Sequence, residues 1–390
     1  MERLYVIGAG MTAFGPQPQV EVHELARRAV WEAIGDSSLA PQVFRQRPTV
    51  AYAGHAYQGP CFAQKTLMKI GLQGLPMVNV ENACASGSTA LIGAAAMIRA
   101  GEAELAIVFG AEKLTRPEGG FLPIVADDLE SAMGRVMPAA FAMQAQMHMH
   151  RHGTTREQMA RVAVKNRRHG ALNPRCHFRD EVTVEQVLAS PSIAEPLTRL
   201  ACCPVSDGAA AVVLAGEAAV RALGLAPRVE LIGHALVSGE RTRYGIVDDH
   251  SEMSTRAARI AYERAGVGPG DIDLCELHDP FTIAELIHYE DLGFCAPGEG
   301  GAYVESGRAD IGGGGVAVSP SGGLLSKGHP LGATGVAQVA EMAWQLRGEA
   351  GARQVPGARI GLTHTVGGGV TQLEAGACAV MIFRSTGAAA

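Results

Sequence analysis

The short apolar run 75–80 reads as a buried strand, and the stretch that leaves it constrains the chain most. Val80-Glu81-Asn82-Ala83-Cys84-Ala85-Ser86-Gly87-Ser88-Thr89-Ala90 is built mostly of small residues. A helical period then resumes through Leu91, Ile92, Ala95, Met97 and Ile98. Cys84 is therefore expected at a strand-to-helix turn, beside the first turn of a helix. Unpaired N–H groups and the helix dipole favour a thiolate at such a place, so a lowered thiol pKa is the expectation. A thiolate there can act as a nucleophile, and the same N–H groups can hold the oxyanion formed when it attacks a thioester. Gly87, Ser88 and Ala90 are small enough for a substrate to approach the backbone. Taken alone, the stretch fits equally a structural cysteine packed at a tight helix start.

Strands and helices alternate around this turn. The runs 4–9, 50–54 and 105–110 read as strands, and 22–34 and 62–70 as helices. This alternation implies a mostly parallel sheet covered on both faces. From Glu112 to about Val205 the strand runs lapse; prolines are frequent, and only 133–149 and 157–168 read as helical. That segment is expected to be a loop-and-helix excursion covering a site. The sheet resumes at 209–214, and the second half repeats the first in coarse form. Strands at 229–233, 272–276, 316–318, 359–362 and 378–384 alternate with helices at 251–265, 281–292 and 333–346. The turn holding His329 takes the place in this half that Cys84 takes in the first. Two halves packed face to face would bring the two turns together.

Composition narrows the function. The net charge of -6, with no basic run, argues against nucleic-acid binding. No apolar segment is long and uncharged enough to span a bilayer. The eight cysteines form no C-x-x-C pair, so neither a zinc site built from them nor a disulfide scaffold is expected. With no signal pattern at Met1-Glu2-Arg3-Leu4 and no peroxisomal tripeptide at the end, a reduced cytoplasm is the expected location. Gly8-Ala9-Gly10-Met11-Thr12-Ala13 formally matches a dinucleotide fingerprint, but Pro16 and Pro18 come where a helix should open. A turn with close backbone packing is expected there instead. His148, His150 and His152 read as a solvated or substrate-proximal cluster, and Cys202-Cys203 as packing.

Two further stretches carry chemistry. Glu276-Leu277-His278-Asp279-Pro280-Phe281 puts a histidine between a buried strand and a helix. Lys327-Gly328-His329-Pro330-Leu331-Gly332-Ala333-Thr334-Gly335 puts another at a helix start. An imidazole near its ordinary pKa can take a thiol proton or hold a developing enolate. At these residues the chain resembles the thiolase superfamily. Asn82-Ala83-Cys84-Ala85-Ser86-Gly87 is similar to that family's nucleophile motif, and residues 328–335 to its C-terminal histidine motif. His278-Asp279-Pro280-Phe281 resembles the form found in sterol-carrier-protein-type and archaeal thiolases.

The resemblance implies a layered αβαβα fold of two similar α/β halves with an inserted loop domain. The halves would be residues 1–111 with 206–226, and 227–390; the loop domain would be 112–205. It implies ping-pong acyl transfer on a coenzyme A thioester as substrate, with no further cofactor and no metal. Cys84 would take the acyl group, His329 would activate its sulfur, and His278 with His329 would polarise the second thioester. The N–H of Cys84 and one from the loop Gly367-Gly368-Gly369 would hold the oxyanion, with Gly368 and Gly369 as candidates. His55, His364 and Thr365 are candidate lining residues. Thr365 stands where many members carry a second, acid/base cysteine, and Pro280 where some sterol-carrier-type members carry one. The second proton carrier would then be His278, His329, His364 or water. A homodimer or tetramer is implied, with a small OB-fold and zinc-ribbon protein as a further partner. Alternative activities are an aldol lyase on CoA esters, an acyltransferase to a non-CoA acceptor and a ketoacyl synthase; a lipid-binding protein without activity is the non-enzymatic alternative.

Overall fold

The strand order of the main sheet reads the same from either end. The computed structural model describes residues 2–115, 129–240, 249–369 and 375–387. Its strands are β1 (Leu4–Met11), β2 (Thr49–Gly54), β3 (Met77–Val80), β4 (Leu105–Glu112), β5 (Ser192–Ala194), β6 (Leu197–Thr198), β7 (Gly208–Gly216), β8 (Val229–Val237), β9 (Leu274–Glu276), β10 (Ala317–Val318), β11 (Ile360–Gly367) and β12 (Ala377–Ser385). β5 and β6 form a separate ribbon, and the other ten run β10-β9-β11-β12-β8-β1-β7-β4-β2-β3. Setting β8 to β12 opposite β1, β2, β3, β4 and β7 makes that order a palindrome. The halves meet at β1 and β8 through two residue pairs, Tyr5↔Glu230 and Val6↔Val229.

The pairing is mixed. β2 lies parallel to β3 and β4, and β9 to β10 and β11. β7 and β12 return antiparallel to β4 and β11, and the junction strands are antiparallel too. The mostly parallel sheet expected from the alternation is corrected on this point. A doubly buried strand is apolar throughout, so its sequence does not record its direction.

Alternation along each strand builds the layers. Leu4 and Val6 of β1 face one core, while Tyr5 and Ile7 face another with the helix Val22–Asp36. β12 divides in the same way: Ala379, Met381 and Phe383 point to the shared core, and Cys378, Val380 and Ile382 to the outer core under the helix Glu252–Ala265. The helices Ser86–Arg99 and Leu331–Arg347 come after β3 and β10, and both contribute to the shared central core. Residues 331–346 of the second are all buried, as a helix enclosed on every side requires. Gly8 and Gly10 lie inside β1, not in a turn as expected. A Cβ at either would meet Ala33 O at 2.2 Å or Ala29 O at 2.4 Å, so the outer helix sits directly on the strand.

The excursion contributes the helices Met137–His152 and Arg156–Ala171 and the β5–β6 ribbon. It is tied to the second half by buried polar contacts. Lys165 Nζ meets Glu285 Oε1 at 2.9 Å, and Asn166 Nδ2 donates to Asp279 Oδ2 at 2.7 Å and Glu285 Oε2 at 2.8 Å. His148 is buried between Thr154 and Glu290, which corrects the solvated reading for that residue, while His150 and His152 are exposed as expected, His152 meeting Asp249. No helix among the described residues is long and apolar enough to cross a membrane.

Candidate active site

The turn after β3 is held by its own small polar groups. Asn82 N–H donates to Ser86 Oγ at 2.8 Å, Ser86 Oγ–H donates to Ala83 O at 2.6 Å, and Asn82 Nδ2 donates to Thr89 Oγ1 at 3.0 Å. Ala83 adopts a left-handed backbone at φ 48°, a strained state that the surrounding bonds must enforce. Gly367, at the end of β11, presses on this turn: a Cβ there would lie 2.1 Å from Asn82 O and 2.6 Å from Ala85 N. The contact brings the N–H of Gly368 to the Cys84 sulfur, beside the N–H of Cys84 itself. Gly369 is exposed, with nothing within 4 Å of a Cβ built on it.

The two helix starts approach more closely than side chains would allow. A Cβ on Gly335 would lie 2.1 Å from Ser88 Oγ and 2.5 Å from Ser88 N, and one on Gly87 would lie 2.7 Å from Gly332 O. The small residues after Cys84 therefore admit the helix of the other half, which corrects the expectation that they make room for substrate. Glu112 ties the approach together. Its buried carboxylate accepts from Gly332 N–H at 3.0 Å, Ala56 N–H at 2.9 Å and Tyr57 N–H at 3.0 Å.

Sulfur 84 and one nitrogen from each of His278 and His329 consequently lie within 4.8 Å of one another. The two rings stand edge to face, with centroids 5.2 Å apart. Nε2 of each ring is buried with no hydrogen-bond partner among the described residues. The tautomer of His329 is set by its neighbours. Thr334 Oγ1 gives its single proton to Pro330 O at 3.0 Å, so it accepts from His329 Nδ1–H at 2.7 Å. Nε2 of His329 is then an unprotonated acceptor. Asp279, next to His278, accepts from Leu324 N–H at 2.9 Å and fixes the approach to the histidine turn. A thiol and two imidazoles at this spacing are also a donor set that zinc accepts.

The other predicted lining residues are placed behind this cluster. His364 is wholly buried; its Nδ1 accepts from the backbone N–H of His278 at 3.4 Å and its Nε2 meets Ser254 Oγ at 2.9 Å. Thr365 donates to Gln338 Oε1 at 2.8 Å and accepts from Ser88 Oγ at 2.9 Å, so its hydroxyl is committed. His55 is buried beside Gly332 and edge-on to Phe62, outside the three-residue group. Sequence reasoning missed Glu112, Thr334 and Gln338, which support the site. Only Thr334 carried a signal, five residues after His329.

Electrostatics corrects one expectation. The Cys84 thiol is pushed up to about 12, first by burial and then by the Glu112 carboxylate, against the pull of the N–H groups of Cys84 and Gly368. Helix-start donors act on the sulfur as foreseen, but enclosure outweighs them. His329 is held down to about 3, by burial and then by Lys327, and burial keeps His278 well below its ordinary value. At neutral pH the pair is thus a neutral thiol beside a neutral imidazole. The thiol can lose its proton only as attack proceeds, with the imidazole receiving it.

Known proteins are similar to this chain over most of its length. Residues 4–218 match the family model "Thiolase, N-terminal domain", and residues 247–378 match "Thiolase C-terminal domain-like". Rabbit (Oryctolagus cuniculus) "Sterol carrier protein 2" is 38% identical over 407 residues, covering 98% of the chain and 72% of that protein. "Acetyl-CoA acetyltransferase" of Methanothermobacter thermautotrophicus is 40% identical over 392 residues, covering 98% and 100%. Among solved structures, the "Ltp2-ChsH2(DUF35) aldolase" superposes with a TM-score of 0.82 at 26% identity, covering 98% of both chains.

Proposed function

The chain belongs to the thiolase family, and on that footing we propose that it is an acyltransferase working through a Cys84 acyl-enzyme on coenzyme A thioesters. The observation carrying this reading is the group formed by the Cys84 sulfur and one nitrogen from each of two imidazoles, all within 4.8 Å, in rings whose Nε2 atoms are buried without partners among the described residues. In the cleaving direction the sulfur attacks the 3-keto carbon of a 3-ketoacyl-CoA while Nε2 of His329 takes its proton. The N–H groups of Cys84 and Gly368 hold the oxyanion. The bond between C2 and C3 then breaks, and the electron pair passes to the thioester enolate, whose oxygen His278 faces. Coenzyme A thiol releases the acyl group from Cys84, and His329 returns the proton. The condensing direction is the reverse. The relative named acetyl-CoA acetyltransferase supports this chemistry. The enzyme uses no cofactor beyond the thioester and works as an oligomer in the cytoplasm; β3, at the end of the sheet with Val78 exposed, suits pairing with a second copy.

The test is intact mass spectrometry after incubation with acetyl-CoA and longer acyl-CoAs. An acyl adduct on the wild type that is lost in Cys84→Ser is expected. No adduct across the panel, or an unchanged adduct in the variant, refutes the acyl-enzyme. A second reading is favoured by the committed hydroxyl of Thr365 and by the likeness to the Ltp2-ChsH2(DUF35) aldolase: cleavage of 3-hydroxyacyl-CoA aldol adducts together with a DUF35-type partner. Thiolysis of 3-ketoacyl-CoA measured beside retro-aldol cleavage, with and without such a partner, separates the two.

A further inference from the structure

The acyl-enzyme reading leaves one proton without a carrier. The enolate made when C2 and C3 part must be protonated at carbon, and the same proton must leave that carbon in the condensing direction. His329 Nε2 already holds the proton of Cys84 at that moment. The Thr365 hydroxyl is committed to Gln338 and Ser88. His364 is committed to Ser254 and to the backbone of His278. We propose that the thiol of Cys203 is the catalytic acid and base at the α-carbon, a proposal that rests on the acyl-enzyme reading above.

The placement comes from the end of the excursion. Residues 202–203 run alongside the turn that carries His278: Cys203 N–H donates to Pro280 O at 2.8 Å, and Cys202 bridges to Phe281. Cys202 is extended, at φ -119° and ψ 142°, and its thiol points away and donates to Thr198 O at 3.3 Å. Side chains alternate along an extended segment, so the Cys203 thiol is directed differently from that of Cys202, although both residues border the core of the second half. There burial first, and then the neighbouring acidic groups of Cys202, Cys84 and Asp279, oppose its ionisation. The neighbouring buried Nε2 atoms of His278 and His329, without partners among the described residues, mark this as a space built for a ligand. A thiol that keeps its proton in the resting enzyme is suited to protonate a carbanion.

The step balances. As C2 parts from C3, the enolate carbon takes the proton of Cys203, giving the shortened acyl-CoA and a Cys203 thiolate. Incoming coenzyme A thiol passes its proton to that thiolate, and its sulfur attacks the acyl group on Cys84. The Cys84 sulfur leaves and recovers its proton from the imidazolium of His329. No oxidant or reductant enters.

The test uses acetyl-CoA in deuterium oxide, monitoring deuterium uptake at its methyl group, together with thiolysis of acetoacetyl-CoA and acetylation of Cys84 by intact mass. Cys203→Ala is expected to acetylate Cys84 within about threefold of the wild-type rate. Its exchange and thiolysis should fall about 100-fold or more, the usual contribution of a positioned acid or base. Cys203→Ser, nearly the same shape, should show the same split with an unchanged melting temperature, since a hydroxyl cannot carry this proton. Cys202→Ala should behave as wild type. Wild-type exchange in a folded Cys203 variant overturns the proposal, as does equal loss of acetylation and exchange in Cys203→Ser. Absence of the Cys84 adduct in the wild type would instead refute the acyl-enzyme itself.

Discussion

Thr334 decides which nitrogen of His329 faces the nucleophile, and Thr334→Val isolates that role. The change keeps the branched shape and removes the oxygen that accepts from Nδ1–H at 2.7 Å. A buried N–H left without an acceptor costs about 1–3 kcal/mol. The imidazole can relieve that cost by turning, or by moving its proton to Nε2, and either event withdraws the base from Cys84. If the whole loss falls on the transition state of acyl transfer, at about 1.4 kcal/mol per tenfold, acylation should slow roughly 5- to 150-fold. The assay is rapid-quench acetylation of Cys84 by acetyl-CoA, read by intact mass, with a thermal melt on the same sample. Thr334→Ser retains the hydroxyl and should recover most of the rate. A folded Thr334→Val enzyme acylating at the wild-type rate would refute the assignment of the tautomer.

Other consequences can be measured directly. Gly335→Ala places a Cβ 2.1 Å from Ser88 Oγ and 2.5 Å from its backbone N, so it should destabilise by about 1–3 kcal/mol in a denaturant titration and slow Cys84 acylation as the helix starts separate. Asp279→Asn offers an amide where carboxylate oxygens accept from Asn166 and Leu324, and should cost about 1–3 kcal/mol in the same titration; an unchanged midpoint would contradict it. Acid should unfold the protein early. Burial holds His169 and His329 down to about 3 and His234 to about 4, so below their unfolded value near 6.5 the unfolded chain binds more protons and stability falls with pH. The melting temperature should therefore drop steadily from about pH 6.5 towards pH 4, and a flat profile there would contradict the buried neutral histidines.

The elements and the three converging residues were legible because apolar runs give way to helical periods around them. Cys84 and His278 stand directly between a strand and a helix, whereas the short helix Gly323–Lys327 comes between β10 and His329. Strand direction was not legible, since β7 is apolar from end to end and β12 from Ala377 to Phe383. The state of the Cys84 thiol was misread because a dipole can be inferred from a helix start, whereas enclosure depends on residues as distant as Glu112. Gln338 and Cys203 gave no signal for a related reason. Gln338 lies within a wholly buried helix, and Cys203 reaches the histidine turn through a contact between distant segments.

The palindromic strand order has an evolutionary reading. It describes a fold that behaves as two copies of one ancestral module, each offering the same exit from strand to helix, set opposite one another across an internal axis. Such a scaffold does not distinguish the two exits; only the amino acids placed there do, a thiol in one half and imidazoles in the other. Divergence between duplicated halves, and not the invention of a new cleft, is then sufficient to originate the chemistry.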